Sequence, residues 1–189
     1  MVFETERLLL RPWAPEDAAS CYEYAKDPRV GPIAGWPVHT SVGNSGEIIA
    51  GVLSKPGTYA VCLKTDDKAI GSIGLKVGDQ SDLPRGEHEA EIGYWIGVPF
   101  WGRGLIPEAV RELMRYAFEE LRMDKLWCAY FDGNEKSRRV QEKCGFVYQF
   151  TMENVEWPLM HDVRTEHVSC ITAEEWRSAQ AICAEGKQK

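Results

Sequence analysis

Residues 89–121 read EAEIGYWIGVPFWGRGLIPEAVRELMRYAFEEL, and this stretch decides the architecture. Ile92, Tyr94, Ile96 and Val98 alternate with Glu91, Gly93, Trp95 and Gly97, the period of two that a pleated strand requires. Pro99 to Pro107 then places two prolines and two glycines within nine positions, which breaks the strand. Beyond it, Ala109, Val110, Leu113, Met114, Ala117, Phe118 and Leu121 fall on one face of a helix. Pro107 sits in the first turn, where a missing N–H costs nothing. Strand, Gly-rich bend and amphipathic helix follow one another without a break.

The physics of that bend points to an anion. The first N–H groups of a helix have no partner within it, and the aligned peptide dipoles add partial positive charge. Gly102 and Gly104 let main chain approach a ligand, and Arg103 supplies a full charge, so phosphate or diphosphate is the expected guest. A plain strand-to-helix turn has the same composition. The stretch lacks the Lys-Ser/Thr of a P-loop and is not G-x-G-x-x-G, so the common nucleotide-binding motifs fit poorly.

Two further stretches change the weighing. Lys125–Tyr130, KLWCAY, reads as a buried strand, and Asn134–Phe146 reads NEKSRRVQEKCGF. With TERLLLRP at Thr5–Pro12 and GYWIGVPFWGRGLIPEA at Gly93–Ala109, the chain resembles the GNAT superfamily of acetyl-CoA-dependent N-acetyltransferases. More closely it resembles the RimJ/RimL branch, named for enzymes that acetylate ribosomal-protein N-termini. The three motifs together are specific, and their order and spacing span nearly the whole chain. The resemblance implies an α/β fold of the α+β mixed-sheet kind: a mostly antiparallel sheet of about seven strands, splayed between the fourth and fifth and flanked by helices. It implies one acetyltransferase domain over residues 1–189.

The resemblance also implies a site. In this fold the pantetheine of acetyl-CoA lies in the splay, bonded like an added strand; here that backbone is Ile96, Gly97 and Val98. The family's diphosphate signature is Gln/Arg-x-x-Gly-x-Gly/Ala, which falls on Trp101–Ile106 with Gly104 as its central glycine; the implied contacts are Gly102, Arg103, Gly104, Ile106 and the adjoining Pro107. Trp101 and Ile106 depart from its first and last positions, although main-chain amides supply most of the bonds. Asn134 is the remaining implied cofactor contact, with a turn-shaping role as its alternative. For the base, Glu91 is first choice and Glu89 second, on one face of the fourth strand; a surface glutamate paired with a cation is the competing reading. The family's usual acid is a Tyr seven residues after that Asn, and here the position holds Gln141, which cannot protonate a thiolate. The RimL-like branch offers Ser137 instead, whose competing role is a helix cap. Trp36 and His39 fall in the region that overlies the acceptor in this fold, where an ordinary loop with one packed Trp is the alternative. Cofactor and partners follow: acetyl-CoA as co-substrate, no metal, an amine acceptor, and a homodimer as a common state of the branch.

Bulk properties set the outer limits. A chain of 189 residues, 44% apolar and 27% charged, suits one soluble domain with a proper core. A net charge of −7 argues against nucleic acid and favours a basic substrate. Six scattered cysteines with no C-x-x-C suit free thiols in a reducing compartment. No signal peptide or membrane-length apolar run is evident, so the expected location is the cytoplasm and no membrane partner is expected. His161 and His167 with Asp162 and Glu166 match no metal-ligand spacing.

The remaining elements are read along the chain. A short strand spans Arg7–Arg11, a helix Glu16–Ala25, and a further helix Glu47–Leu53, with Gly31–Gly46 unassigned. Strands are expected at Tyr59–Lys64 and Ile70–Val77, with a polar loop over Gly78–Glu87. A helix near Ser137–Cys144 is closed by Gly145. Strands Phe146–Thr151 and Val163–Ile171 flank a loop carrying Trp157 and Pro158, and Thr172-Ala173-Glu174-Glu175 has the form of a capping box opening a last helix. The expected activity is acetyl transfer to a primary amine, either a protein N-terminus or a small molecule, by direct attack in a ternary complex. A catalytically idle acyl-CoA-binding or regulatory module is the alternative.

Overall fold

A computed structural model describes residues 1–78, 81, 83 and 86–186, with side chains described to residue 182. The expected loop Gly78–Glu87 therefore lies partly outside the described residues, as does the thiol of Cys183.

Eight strands form one sheet: β1 (Phe3–Glu4), β2 (Leu8–Arg11), β3 (Thr58–Leu63), β4 (Ala69–Val77), β5 (Glu89–Ile96), β6 (Lys125–Phe131), β7 (Val147–Trp157) and β8 (Asp162–Thr172). Their spatial order is β1-β2-β3-β4-β5-β6-β8-β7, and every neighbouring pair is antiparallel except β5–β6. The two-residue β1 takes the sheet past the expected seven, so the fourth and fifth strands of the sequence reading are β5 and β6. They pair at only Glu89↔Lys125, Ala90↔Leu126 and Glu91↔Trp127. From Ile92 and Cys128 onward the sheet is open.

Helices cover both faces. α1 (Ala18–Ala25), α2 (Gly31–Ala34) and α3 (Val42–Ile48) lie between β2 and β3 in sequence. Trp13, Cys21, Ala25 and Ile49 pack with Ala60, Cys62 and Ala69 in a small core on that side. α4 (Leu105–Arg115), α5 (Glu135–Lys143) and α6 (Ala173–Gly186) belong to the larger core on the opposite face. α4 buries Leu105, Ile106, Ala109, Val110, Leu113 and Met114, the stripe its spacing predicts. A wider turn continues it over Tyr116–Glu120. The capping box at α6 is formed: Glu175 N–H donates to Thr172 Oγ1 at 3.2 Å, and Thr172 N–H donates to Glu175 Oε2 at 2.8 Å.

Four boundaries differ from the sequence reading, each for a physical reason. β5 ends at Ile96, and Val98–Phe100 curls into a 3-10 turn closed by Trp101 N–H on Val98 O at 3.1 Å. α3 starts at Val42 rather than Glu47, because Ser41 Oγ accepts from Asn44 N–H and caps it. Residues 31–34 form the short helix α2, closed by Gly35 at φ +90°. β7 extends six residues past Thr151 and includes Trp157, which pairs with Asp162 across the hairpin.

Candidate functional site

The bend after β5 is built as the sequence suggests. Gly102 and Gly104 hold φ values of +75° and +74°, a region that costs a side chain about 1–2 kcal/mol. Gly104 is the N-cap of α4 and offers no side chain to close it. Among the described residues, no hydrogen bond uses the N–H groups of 102 to 106, and Pro107 has none to offer. Consecutive donors are therefore left without a partner at the positive end of an eleven-residue helix. Two cations flank them without a carboxylate partner among the described residues. Arg103 lies over the Phe100 ring at 5.5 Å and the Lys136 ammonium over the Trp101 ring at 4.4 Å.

The bend is tied to the start of the chain. Arg7 brings two guanidinium nitrogens to one oxygen of Glu108, Nη2 to Oε2 at 2.6 Å and Nε to Oε2 at 2.7 Å, and its Nη1 donates to Arg103 O at 2.9 Å. The Thr5 hydroxyl and Arg7 N–H both donate to Glu108 Oε1. Burial pushes the Glu108 carboxyl up, but Thr5 and Arg7 outweigh it and hold the group below its usual range. Two motifs that lie a hundred residues apart in the sequence, TERLLLRP and GLIPEA, are thus one contact.

Beside the bend, the gap between β5 and β6 is lined by main chain. Gly97 N–H donates to Ile70 O at 2.9 Å, which sets the odd residues of β5 against β4 and turns the N–H and C=O of Tyr94 and Ile96 toward the gap. The carbonyl of Ile96 is already taken by the indole N–H of Trp101 at 2.9 Å. Tyr94 crosses under the gap on the α5 side. Its Oη stands 3.0 Å from Ser137 Oγ, 3.2 Å from Ser137 O and 4.0 Å from the buried Cys128 Sγ. Asn134 caps α5 by accepting from Ser137 N–H at 3.2 Å, and its Nδ2 donates to Ile33 O at 3.4 Å. Arg138 is engaged by Glu142 and Glu135 at 3.1 and 3.4 Å. One turn beyond Ser137, Gln141 is 2% exposed and neither amide atom has a partner.

On the opposite face lie both glutamates. Glu91 belongs to the last closed pair before the gap; Lys76 Nζ reaches its Oε1 at 3.0 Å and Ser81 Oγ its Oε2 at 2.7 Å. Glu89 accepts from the Trp127 indole at 2.7 Å and faces Lys125 at 3.6 Å. Burial raises the Glu89 carboxyl, yet Trp127, the Gly86 N–H and Lys125 prevail and hold it low. Over this face Trp95 meets Trp36 at 5.5 Å and Trp13 at 6.4 Å. His39, buried, shares its Nδ1 with Ser45 Oγ at 2.8 Å, and burial lowers its pKa. The strap of α2 is held from the far half of the sheet: Arg164 donates to Pro32 O at 2.8 Å and Trp157 to Gly35 O at 2.6 Å.

The structure thus gathers Gly102, Arg103, Gly104, Ile106 and Pro107 at one mouth of the gap, with Ile96 and Ser137 along its wall and Glu91 at its closed end. Lys136 and Tyr94 escaped the sequence reading. Each acts across two elements, and the only local signal is a Tyr in an otherwise aliphatic strand face. Among the described residues no group of three His, Cys, Asp or Glu is placed to hold a metal, and no helix is long and apolar enough to cross a membrane.

Comparison with known proteins places the chain in a family. The acetyltransferase (GNAT) domain matches residues 7–147. YdaF of Bacillus subtilis, a candidate ribosomal N-acetyltransferase, is 44% identical over 82 residues; the match covers 43% of this chain, which spans 42% of that protein's length. The ribosomal protein uS5-alanine N-acetyltransferase of Escherichia coli is 24% identical over 183 residues, 92% of this chain and 80% of that one. In fold, Mycobacterium smegmatis RimJ, solved with CoA-disulfide, superposes with a TM-score of 0.75 at 20% identity, over 98% of this chain and 94% of that one.

Proposed function

This chain belongs to the acetyltransferase (GNAT) domain family, and on that premise we propose that it moves an acetyl group from acetyl-CoA to a primary amine by direct attack. The observation that carries the reading is the juxtaposition of unpartnered amides at residues 102–106 with a sheet that opens after Glu91↔Trp127. The diphosphate of CoA sits on those amides, with Arg103 and Lys136 as its flanking cations. Pantetheine enters along Ile96, Gly97 and Val98, where the gap-facing N–H of Ile96 is a donor for it. Ile106 and Pro107 shape the helix start, and Asn134 fixes α5 beside the thioester.

In this reading the amine approaches from the Trp36–Trp95 side. Its nitrogen attacks the thioester carbonyl, the N–C bond forms, and the C–S bond breaks with its electron pair passing to sulfur. Glu91 takes the amine proton, directly or through water. It is preferred to Glu89 on position, because Glu91 stands in the last closed pair beside the gap and Glu89 lies two residues further from it. Ser137 faces the departing sulfur. Among acceptors, the names of YdaF and the uS5 enzyme support a ribosomal-protein N-terminus, and the chain's net charge of −7 suits a basic peptide.

Titration with CoA and with ATP, followed by mass spectrometry of acetyl-CoA reactions with N-terminal peptides, a polyamine and an amino sugar, tests the proposal. CoA binding with one acetylated product is the expected result. ATP in preference to CoA overturns it, and CoA binding without turnover of any amine turns the protein into an acyl-CoA-binding module.

A further inference from the structure

Gln141 stands where many relatives by resemblance carry their acid, so the chain needs another way to meet the negative charge that develops on sulfur. We infer that Tyr94 is a positioning residue for that step: its phenol hydrogen-bonds the Ser137 hydroxyl and frees the Ser137 proton to point at the departing thiolate. The inference rests on the acetyltransferase reading above.

Three observations carry it. First, Tyr94 lies in the part of β5 that β6 has left, three residues past the last closed pair. Second, its ring bridges the two halves of the sheet, because its hydroxyl meets Ser137 of α5 and Cys128 of β6. Third, both acceptors within reach of the phenol O–H belong to Ser137, Oγ at 3.0 Å and O at 3.2 Å. The O–H therefore has an acceptor on Ser137 whichever way the serine proton turns. When sulfur draws that proton, the phenol donates to Oγ and supports the serine as a donor. Burial, the largest influence on Tyr94, pushes its phenol well above the ordinary range, so it stays protonated at any working pH.

The chemistry balances without a proton leaving Tyr94. The amine proton ends on Glu91, the thiolate departs as an anion steadied by Ser137 Oγ–H, and sulfur takes its proton from water afterwards. Neither hydroxyl is consumed. This arrangement differs from a tyrosine acid at position 141, which would deliver its own proton to sulfur.

Tyr94→Phe keeps the ring and removes only the hydroxyl, so it tests the contact directly. The expected result is a fall in kcat of about 10-fold, with KM for acetyl-CoA and the melting temperature held close to those of the parent. Ser137→Ala should lose about as much, and the double variant no more than either single one, since the two hydroxyls act as a unit. A parent-like kcat in Tyr94→Phe overturns the inference, as does additive loss in the double variant. A raised KM or lowered melting temperature at unchanged kcat also overturns it, by making Tyr94 structural. If the parent protein itself acetylates no amine, the underlying reading fails instead, a result distinguishable at the first assay.

Discussion

The bend at residues 101–107 follows β5, on one side of the gap, and the strap at residues 31–35 is held by the β6–β8 half on the other, yet they are built on opposite principles. The bend is made of main chain: left-handed glycines, a proline and a helix start, all within seven residues. The strap is a four-residue helix with no stability of its own, held by Arg164, Trp157 and Asn134 from 101 to 132 residues further along the chain. A site for a constant ligand can be written locally in backbone conformation. A surface over a variable acceptor depends on distant side chains, and it can drift without disturbing the first.

That contrast can be broken most forcefully at Gly104. Gly104→Val forces a β-branched residue into φ +74°, and CoA binding measured by titration should weaken roughly 100-fold, about 2.7 kcal/mol. Gly35→Ala addresses the strap. Its Cβ would meet Phe131 Cε2 at 2.7 Å and Trp157 Nε1 at 3.0 Å at φ +90°, so chemical denaturation should show a loss of about 2 kcal/mol. Its CoA affinity should stay near the parent's; parallel loss in both variants would show that bend and strap are one unit. Gln141→Leu lies outside both regions and removes a buried amide with no partner, so denaturation should show a gain of about 1 kcal/mol. Lys136→Ala sharpens the bend's side of the comparison. CoA affinity should fall about fivefold in dilute buffer and by less in strong salt.

Acid provides the mildest probe, and it should reach the face proposed for the acceptor first. Burial lowers His39 from its ordinary 6.5, so below that pH the unfolded chain binds a proton that the folded one resists, and stability declines. Glu108 and Asp17, held below their ordinary 4.5 and 3.8, contribute stability above those values and lose it as pH falls further. Denaturation midpoints should therefore drop between pH 6.5 and 5 in the parent. In His39→Gln that early drop should shrink while the later one remains.

The same contrast explains what could be read from the sequence. Strand alternation, the glycine pair and the α4 stripe are local signals, and the bend, β5 and α4 followed from them. Thr172 and Glu175 announced their capping box for the same reason. Residues 31–35 carry no period, since their order comes from partners more than a hundred residues away, whereas the Ser41 cap that opens α3 is local. Trp157 falls in the loop expected between the last two strands, although pairing with Asp162 across the hairpin keeps it in β7. The placement of Glu91 at the closed end of the gap was within reach of alternation plus family resemblance. The link from Tyr94 to Ser137 was not, because it requires knowing which face of α5 meets β5.

The salt link between Arg7 and Glu108 carries one more consequence. These residues are 101 positions apart, so during synthesis the opening of the chain must wait for its middle to emerge before the two can close. Until then Arg7 cannot anchor the carbonyl of Arg103, and the cradle proposed for the cofactor stays unfinished however well its own glycines are set. A tag or deletion that pulls Thr5 outward would therefore be felt as poor cofactor retention, in a place no one altered.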